Sequence, residues 1–366
     1  MDLFVCGTAY QLLNLLSISA GRHEQADLII TDPSMRQICK AAKIRQQCNI
    51  SRVYVWDTLA GRVTYRKINH PVEHYLNNVK KALLYSRIRG IYRSLPNQAG
   101  CYDRIWIGNP DFPAMCIYYY FKQKGASLSL YEEGAFTYNC MVLDVSYVRR
   151  WISHLLFGGY ILDDCQEIWV RNIRQISLGK RQDIRLFQIP DNLPQIRPQL
   201  MDIFYYNRRR FTMLDKKIIL FDEVHEVQEI YDLQQKAAEM IHLHYENNYV
   251  IKYHPGVSSN RYRKGIRTVR MGLPFEVFLG IVAMDEKILV SLFSTACFSP
   301  KLMYDQEPYV IFLYKLLRWK NPFAFDQEVK KLKQSYRKPD RIMEPETLEE
   351  MIQCIDSFMK QSGEKA

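Results

Sequence analysis

The nine cysteines of this chain never form a Cys-x-x-Cys pair, which argues against a zinc or dithiol redox centre. They are scattered at Cys6, Cys39, Cys48, Cys101, Cys116, Cys140, Cys165, Cys297 and Cys354, as expected of free thiols in a reducing cytosol. No uninterrupted apolar run reaches the length that spans a bilayer. The start of the chain does not read as a signal peptide: Asp2 stands where a basic residue belongs, and Gln11 and Asn14 interrupt the apolar residues. There is no internal repeat, no low-complexity tract, and no RRM, KH, helix-turn-helix or zinc-finger pattern. The one adjacent Asp pair, Asp163-Asp164, lies outside the strand-helix rhythm described below and is read as structural.

What is present is an ordinary globular composition. With 48% hydrophobic and 24% charged residues, long disorder is not expected. At 366 residues the chain is long enough for two domains, each with its own core. The formal charge of +11 implies an acidic partner, and nucleic acid, anionic lipid, a nucleotide sugar and an acidic polysaccharide all satisfy it.

Short apolar runs at 3–6, 27–31, 53–56, 104–107 and 127–131 alternate with helical patterns at 10–20, 32–44, 71–95 and 112–123. This is the rhythm of buried parallel strands with crossover helices. It restarts at 217–221 and continues through a helix at 227–246, strands at 249–253 and 267–271, a helix at 275–283, a strand at 287–291, a helix at 295–304 and a strand at 309–314. Residues 139–215 break the alternation. They carry Arg149, Arg150, Trp151, Leu155, Leu156 and Phe157, then Arg171, Arg174, Lys180, Arg181, Arg185 and the prolines Pro190, Pro194 and Pro198, with Arg208, Arg209 and Arg210 near the end. The expected organisation is an α/β chain of two Rossmann-like domains facing a central cleft, the glycosyltransferase-B architecture. Residues 1–138 form the N-terminal Rossmann-like domain, 139–215 a basic insertion and linker, 216–315 the C-terminal Rossmann-like domain and 316–366 a helical extension. A single large doubly wound domain is the alternative.

Three strand ends carry chemistry. The run ending at Tyr131 meets Glu132-Glu133-Gly134, a carboxylate pair followed by a glycine that permits a tight turn. The run at 249–253 ends in His254-Pro255-Gly256, and the run at 287–291 leads to Ser294-Thr295. α/β folds bind ligands at such carboxyl ends. A base, a leaving-group acid and a phosphate cradle could be drawn from this set. Each has a plain alternative: a solvated turn for the glutamates, a turn histidine before proline, and an ordinary helix N-cap for the hydroxyls.

The ordered set resembles bacterial sialyltransferases. Glu132-Glu133-Gly134 resembles their acid-acid-glycine motif, His254-Pro255 their His-Pro motif, and Ser294-Thr295 their downstream Ser/Thr motif. The opening Leu3-Phe4-Val5-Cys6-Gly7-Thr8-Ala9-Tyr10-Gln11-Leu12-Leu13-Asn14 resembles the start of the lipooligosaccharide sialyltransferases, glycosyltransferase family 52; the polysialyltransferases share the first two motifs. The resemblance runs from residue 3 to about residue 315. It implies inverting, metal-independent transfer of sialic acid from CMP-sialic acid to a sugar hydroxyl of a bacterial surface glycan, lipooligosaccharide or capsule, without a cofactor.

By the same resemblance Glu133 is the base and Glu132 orients the loop or acceptor, although the family commonly has Asp at the second position. His254 meets the leaving phosphate. Ser294 and Thr295 hold that phosphate, with Pro255 and Gly256 beside it. Leu273-Pro274-Phe275-Glu276-Val277 resembles a segment whose glutamate contacts the donor ribose, which assigns that contact to Glu276. Gly134, Asn109 and Asp111 are candidates for acceptor contact, with an ordinary turn as the alternative for the last two.

The partners expected are a CMP-sugar donor and a glycan or glycolipid acceptor, with no nucleic acid. Another CMP-activated acid such as CMP-Kdo stays open as donor, as does a non-enzymatic basic module for anionic polymer. The location expected is cytoplasmic. The basic-aromatic stretch 148–157 fits docking on the inner membrane surface, self-association as a homodimer, or an amphipathic helix packed on its own domain.

Overall fold

A computed structural model describes residues 1–32, 35, 39–47, 49–55, 102–134, 137–138, 150–151, 154–155, 159–176, 178, 183–204, 215–223, 228–254, 257, 260–270, 275–279, 282–317 and 323–361. The chain divides into two compact units, Met1–Tyr205 and Tyr206–Ala366.

The first unit is built on seven parallel strands: β1 (Asp2–Cys6), β2 (Ala26–Ile30), β3 (Ile50–Val55), β4 (Arg104–Ile107), β5 (Ser127–Tyr131), β6 (Cys165–Val170) and β7 (Arg185–Gln188). Their spatial order is β3-β2-β1-β4-β5-β6-β7. β1, β2 and β4 are mostly apolar because a parallel sheet is covered on both faces. Leu3, Phe4, Ile105, Trp106, Leu128 and Leu130 are all buried. Helix α1 (Ala9–Ala20) follows β1. Thr8 caps it, its hydroxyl accepting from the Gln11 N–H at 3.1 Å. The unit also holds α2 (Ala41–Gln47), α3 (Phe112–Lys122) and α4 (Leu193–Ile203). The strand order reverses between β1 and β4. The loops after these two strands therefore splay apart at the carboxyl edge, which is where such sheets form a crevice.

The second unit repeats the plan with six parallel strands in the order β10-β9-β8-β11-β12-β13. These are β8 (Ile218–Phe221), β9 (Tyr249–Lys252), β10 (Thr268–Val269), β11 (Ile288–Ser291), β12 (Tyr309–Phe312) and β13 (Ile342–Met343). Here the reversal falls between β8 and β11. The helices are α5 (Gln228–Tyr245), α6 (Phe275–Leu279), α7 (Ser299–Tyr304), α8 (Phe323–Ser335) and α9 (Leu348–Gln361). On α9 the buried residues Met351, Ile352, Ile355, Phe358 and Met359 recur at helical spacing and enter one core with Ile218, Leu220, Ile251, Val290 and Ile311. The Phe358 and Tyr309 rings lie 4.4 Å apart, and the Tyr245 hydroxyl donates to Asp356 Oδ1 at 2.5 Å.

The two sheets run on past two of the expected boundaries. The described part of 139–215 is not separate from the first domain, because β6 and β7 extend its sheet and α4 belongs to the same unit. β6 carries Gln166 and Glu167 near its start, so it does not read as an apolar run. The polar Glu167 is nonetheless buried, accepting from Ser129 Oγ at 2.5 Å and Arg104 Nη1 at 3.0 Å. Residues 316–366 are likewise no appendage, since β13 pairs with β12 and α9 fills the core. Asp163 and Asp164 sit in a 3-10 turn, paired with Arg150 and Lys122 respectively. In the basic-aromatic stretch, Trp151 and Leu155 are exposed by 56% and 71%. Arg149, Leu156 and Phe157 lie outside the described residues, as do 71–95 and Arg208, Arg209 and Arg210. Among the described residues, no helix is long and apolar enough to cross a membrane.

Candidate active site

The first unit gathers side chains at the carboxyl ends of β1, β4, β5 and β6. Glu132 and Glu133 follow β5 directly, but their environments are opposite. Glu132 is fully buried. Its carboxylate accepts from the hydroxyls of Tyr10 and Tyr138, and from the Arg171 N–H at 2.7 Å. Its backbone is held too: Asn14 Nδ2 donates to the Glu132 carbonyl at 2.8 Å, and the Glu132 N–H donates to the Trp169 carbonyl at 2.8 Å. Burial, then the Glu132 charge, pushes the Tyr10 phenol well above its ordinary range, and the same two causes act on Tyr138. Both phenols therefore stay protonated as donors. Arg171 is itself buried, its Nε donating to Asn14 Oδ1 at 2.9 Å and its Nη2 to Ser17 Oγ at 3.1 Å. Glu132 thus ties α1, β5 and β6 together with its lone pairs engaged.

Glu133 is half-buried and lightly held. Asn109 Nδ2 donates to its Oε1 at 2.9 Å, and the Glu133 N–H donates to Thr137 Oγ1 at 2.9 Å. Burial pushes its carboxyl up to about 7; the Asn109 hydrogen bond opposes the rise and the nearby Asp111 charge adds to it. A carboxyl poised there exchanges protons readily at neutral pH. Gly134 follows with φ of 146°, a backbone region that disfavours side chains, and open space where a Cβ would stand. Asp111 caps α3, its Oδ1 accepting from the Ala114 N–H at 2.9 Å. Gly108, just after β4, leaves no room for a side chain, because a Cβ there would meet the Tyr131 ring at 2.9 Å. The first unit therefore brings Glu132, Glu133, Gly134, Asn109 and Asp111 together beside the strand-order reversal. Sequence reasoning assigned no role to Tyr10, Tyr138 or Arg171, although Tyr10 lies within the recognised opening segment.

The second unit places His254 after β9 and Ser294 and Thr295 after β11. His254 reaches solvent. The protein around its ring, then the Lys252 and Arg261 cations, lower its pKa, so a resting imidazolium at neutral pH is not favoured. Lys252 is buried at the end of β9, its ammonium 5.9 Å from the Phe221 ring centre; burial lowers its pKa, with Glu276 and Asp222 opposing. Glu276 starts α6, accepts from Ser299 Oγ at 3.3 Å and from the Tyr304 hydroxyl through its carbonyl at 3.1 Å. Ser294 Oγ accepts from the Ala296 N–H at 3.3 Å, and the Ser294 N–H donates to Ser291 Oγ at 2.8 Å. The expected helix over 295–304 is broken into a 3-10 turn at Thr295–Cys297 and the short α7. Pro300 near the start of α7 has no N–H to continue a single helix. No single helix therefore runs from the Ser294-Thr295 turn to Tyr304. Pro255 and Gly256 lie outside the described residues.

Sequence reasoning also missed Asp222-Glu223, an acid pair directly after β8. Asp222 accepts from the Tyr262 hydroxyl at 2.8 Å, and burial raises its pKa. Glu223 accepts from the N–H groups of Leu292 and Phe293, both at 2.9 Å. The signal was available, since the pair repeats the arrangement at Glu132-Glu133. Among the described residues, no group of three or more His, Cys, Asp or Glu could hold a metal ion.

No protein-family profile matches the sequence, and no curated protein does either. Solved structures do resemble the fold. Arabidopsis thaliana UGT89C1, complexed with UDP-L-rhamnose, superposes with a TM-score of 0.57 at 9% identity, covering 98% of this chain and 90% of that one. The spinosyn forosaminyltransferase SpnP gives 0.51 at 10% identity, covering 99% and 90%. The UDP-GlcNAc 2-epimerase from Methanocaldococcus jannaschii gives 0.50 at 10% identity, covering 97% and 92%. At such identities the likeness concerns the fold alone.

Proposed function

We propose that this chain, which has the two Rossmann-like domains of the glycosyltransferase-B fold, is a glycosyltransferase that moves sialic acid from CMP-sialic acid to a sugar hydroxyl of a surface glycan, with inversion. The observation that carries the reading is the acid-acid-glycine turn after β5, where one glutamate is locked in a buried network and the next is held by Asn109 with its carboxyl up to about 7.

In this reading Glu133 takes the proton of the acceptor hydroxyl as its oxygen bonds to the anomeric carbon of the donor. The bond from that carbon to the phosphate oxygen breaks on the opposite face, and CMP leaves with the electron pair. Glu133 returns its proton to water. The acceptor hydroxyl is a poor nucleophile until a placed carboxylate takes its proton, and this assistance typically supplies on the order of 10² to 10⁴ in rate. Glu132 does not take part in the proton transfer; it fixes the turn that presents Glu133 and Gly134.

In the second unit His254, Ser294 and Thr295 receive the donor phosphate. The arriving negative charge raises the imidazole pKa, so His254 becomes a cation only with donor bound and then stabilises the departing phosphate. Glu276 accepts from the ribose hydroxyls. CMP departs as a monoester with a single phosphate, which these residues can satisfy without a divalent ion, so the reading predicts turnover in EDTA.

The test is incubation with CMP-sialic acid and a panel of galactosides, reading CMP release and product mass, with Glu133→Gln as control. Near-normal turnover by that variant would remove Glu133 from the chemistry.

A further inference from the structure

The second unit already contains an anion where its carboxyl edge offers backbone donors. Glu223 leaves β8 at the strand-order reversal, and its Oε1 receives both the Leu292 and Phe293 N–H groups at 2.9 Å. These are the first two amides after β11, in the turn that leads to Ser294 and Thr295. Consecutive N–H groups aimed at one point form an anion-binding nest. The carboxyl is only 6% exposed. Its other oxygen, Oε2, is buried and has no hydrogen-bond partner among the described residues. Burying that oxygen costs desolvation that the brace to the turn does not return.

We propose that Glu223 is an internal competitor for the donor phosphate: its charge fills the nest of Leu292 and Phe293, and an anionic ligand binds this turn with uptake of a proton by Glu223. The inference rests on the reading that the second unit binds a nucleotide. Once protonated, Glu223 ceases to repel the phosphate, and its O–H becomes a donor that a phosphate oxygen can accept. Burial pushes the carboxyl up to about 7, opposed by the Phe293 and Leu292 amides and then by the Ser291 hydroxyl and the Ser294 N–H, so proton uptake is easy near neutrality.

The charged and titratable groups around it are few. Asp222 precedes it in the chain, just after β8, and Arg261 donates from Nη1 to the Glu223 carbonyl at 3.3 Å. Lys252 and His254 stand at the end of the adjacent β9. The buried Cys297 thiol lies in the turn after β11 and is pushed far up by burial, so it stays neutral.

The probe is the methyl ester of cytidine 5′-phosphate, whose single charge does not titrate near neutrality. Its dissociation constant is measured between pH 6 and pH 8 for the parent and for Glu223→Gln, which keeps the shape and an acceptor for the two amides. Titration of His254 affects both proteins and cancels in the ratio of their constants. Linkage through a carboxyl near 7 predicts that this ratio, parent over variant, rises roughly tenfold across that range, the variant binding more tightly at pH 8. A ratio independent of pH, or a variant weaker at every pH, overturns the inference while leaving the nucleotide reading intact. Absence of binding by either protein removes both. If Glu223→Gln does not fold, calorimetry of His254→Gln at pH 7.5 in buffers of different ionisation enthalpy decides: net proton uptake supports the inference, and none overturns it.

Discussion

Glu132 and Glu133 occupy consecutive positions, yet only Glu133 is lightly held. Three donors saturate the Glu132 carboxylate, two phenols and the Arg171 N–H. In Glu132→Gln an amide N–H₂ would face donors, and breaking a buried charged network costs roughly 3–5 kcal/mol. Thermal unfolding should show a large loss of stability for that variant and almost none for Glu133→Gln, while turnover falls by about 10² to 10⁴ in Glu133→Gln. The pH profile adds a sign test. Glu133 must be ionised to act as base, so kcat/KM should rise with pH through an acid limb near 7. Asn109→Ala removes the bond that lowers this pKa and should move the limb upward. Asp111→Asn removes a negative charge, keeps a good helix cap and should move the limb downward. A limb unmoved by either change would detach it from Glu133.

The elements were legible wherever burial is symmetric. β1, β2, β4, β5, β8, β9, β11 and β12 read as apolar runs because a covered parallel sheet has no polar face. β6 and β7 were hidden by their polar positions: Glu167 is buried on Ser129 and Arg104, and Arg185 lies on an exposed edge strand. The site was legible at Glu132-Glu133-Gly134, where strand end and motif coincide. It was not legible at Arg171, which meets Glu132 only after β6 has paired with β5, nor at Tyr138, which folds back onto Glu132 from six residues along the chain. Gly134→Ala places a side chain at a φ of 146° with no steric obstacle. It should cost roughly 1–3 kcal/mol from backbone strain alone, and turnover should fall because the shifted turn also carries Glu133. On α9, Ile355→Ala should destabilise the second unit by roughly 2–5 kcal/mol by chemical denaturation, as a cavity in a shared core does. A change within experimental error would return α9 to the status of an appendage.

For the whole molecule, the division at Tyr205 and Tyr206 places β6, β7 and α4 with the first unit. A fragment of residues 1–205 should give cooperative unfolding by circular dichroism, whereas residues 1–138 should not, since that cut strips two strands from one side of β5 and leaves its edge unpaired. The charge of +11 is in keeping with an anionic donor, but it leaves the choice of donor open. That choice is the central claim. The most direct measurement is mass spectrometry of products after incubation in EDTA with an equimolar mixture of CMP-sialic acid, CMP-Kdo and UDP-sugars over a galactoside panel. The account predicts one new product, heavier than its acceptor by a sialyl residue, with release of CMP and loss of the product in Glu133→Gln. A product carrying a sugar from a UDP donor, or none without a divalent ion, would contradict it.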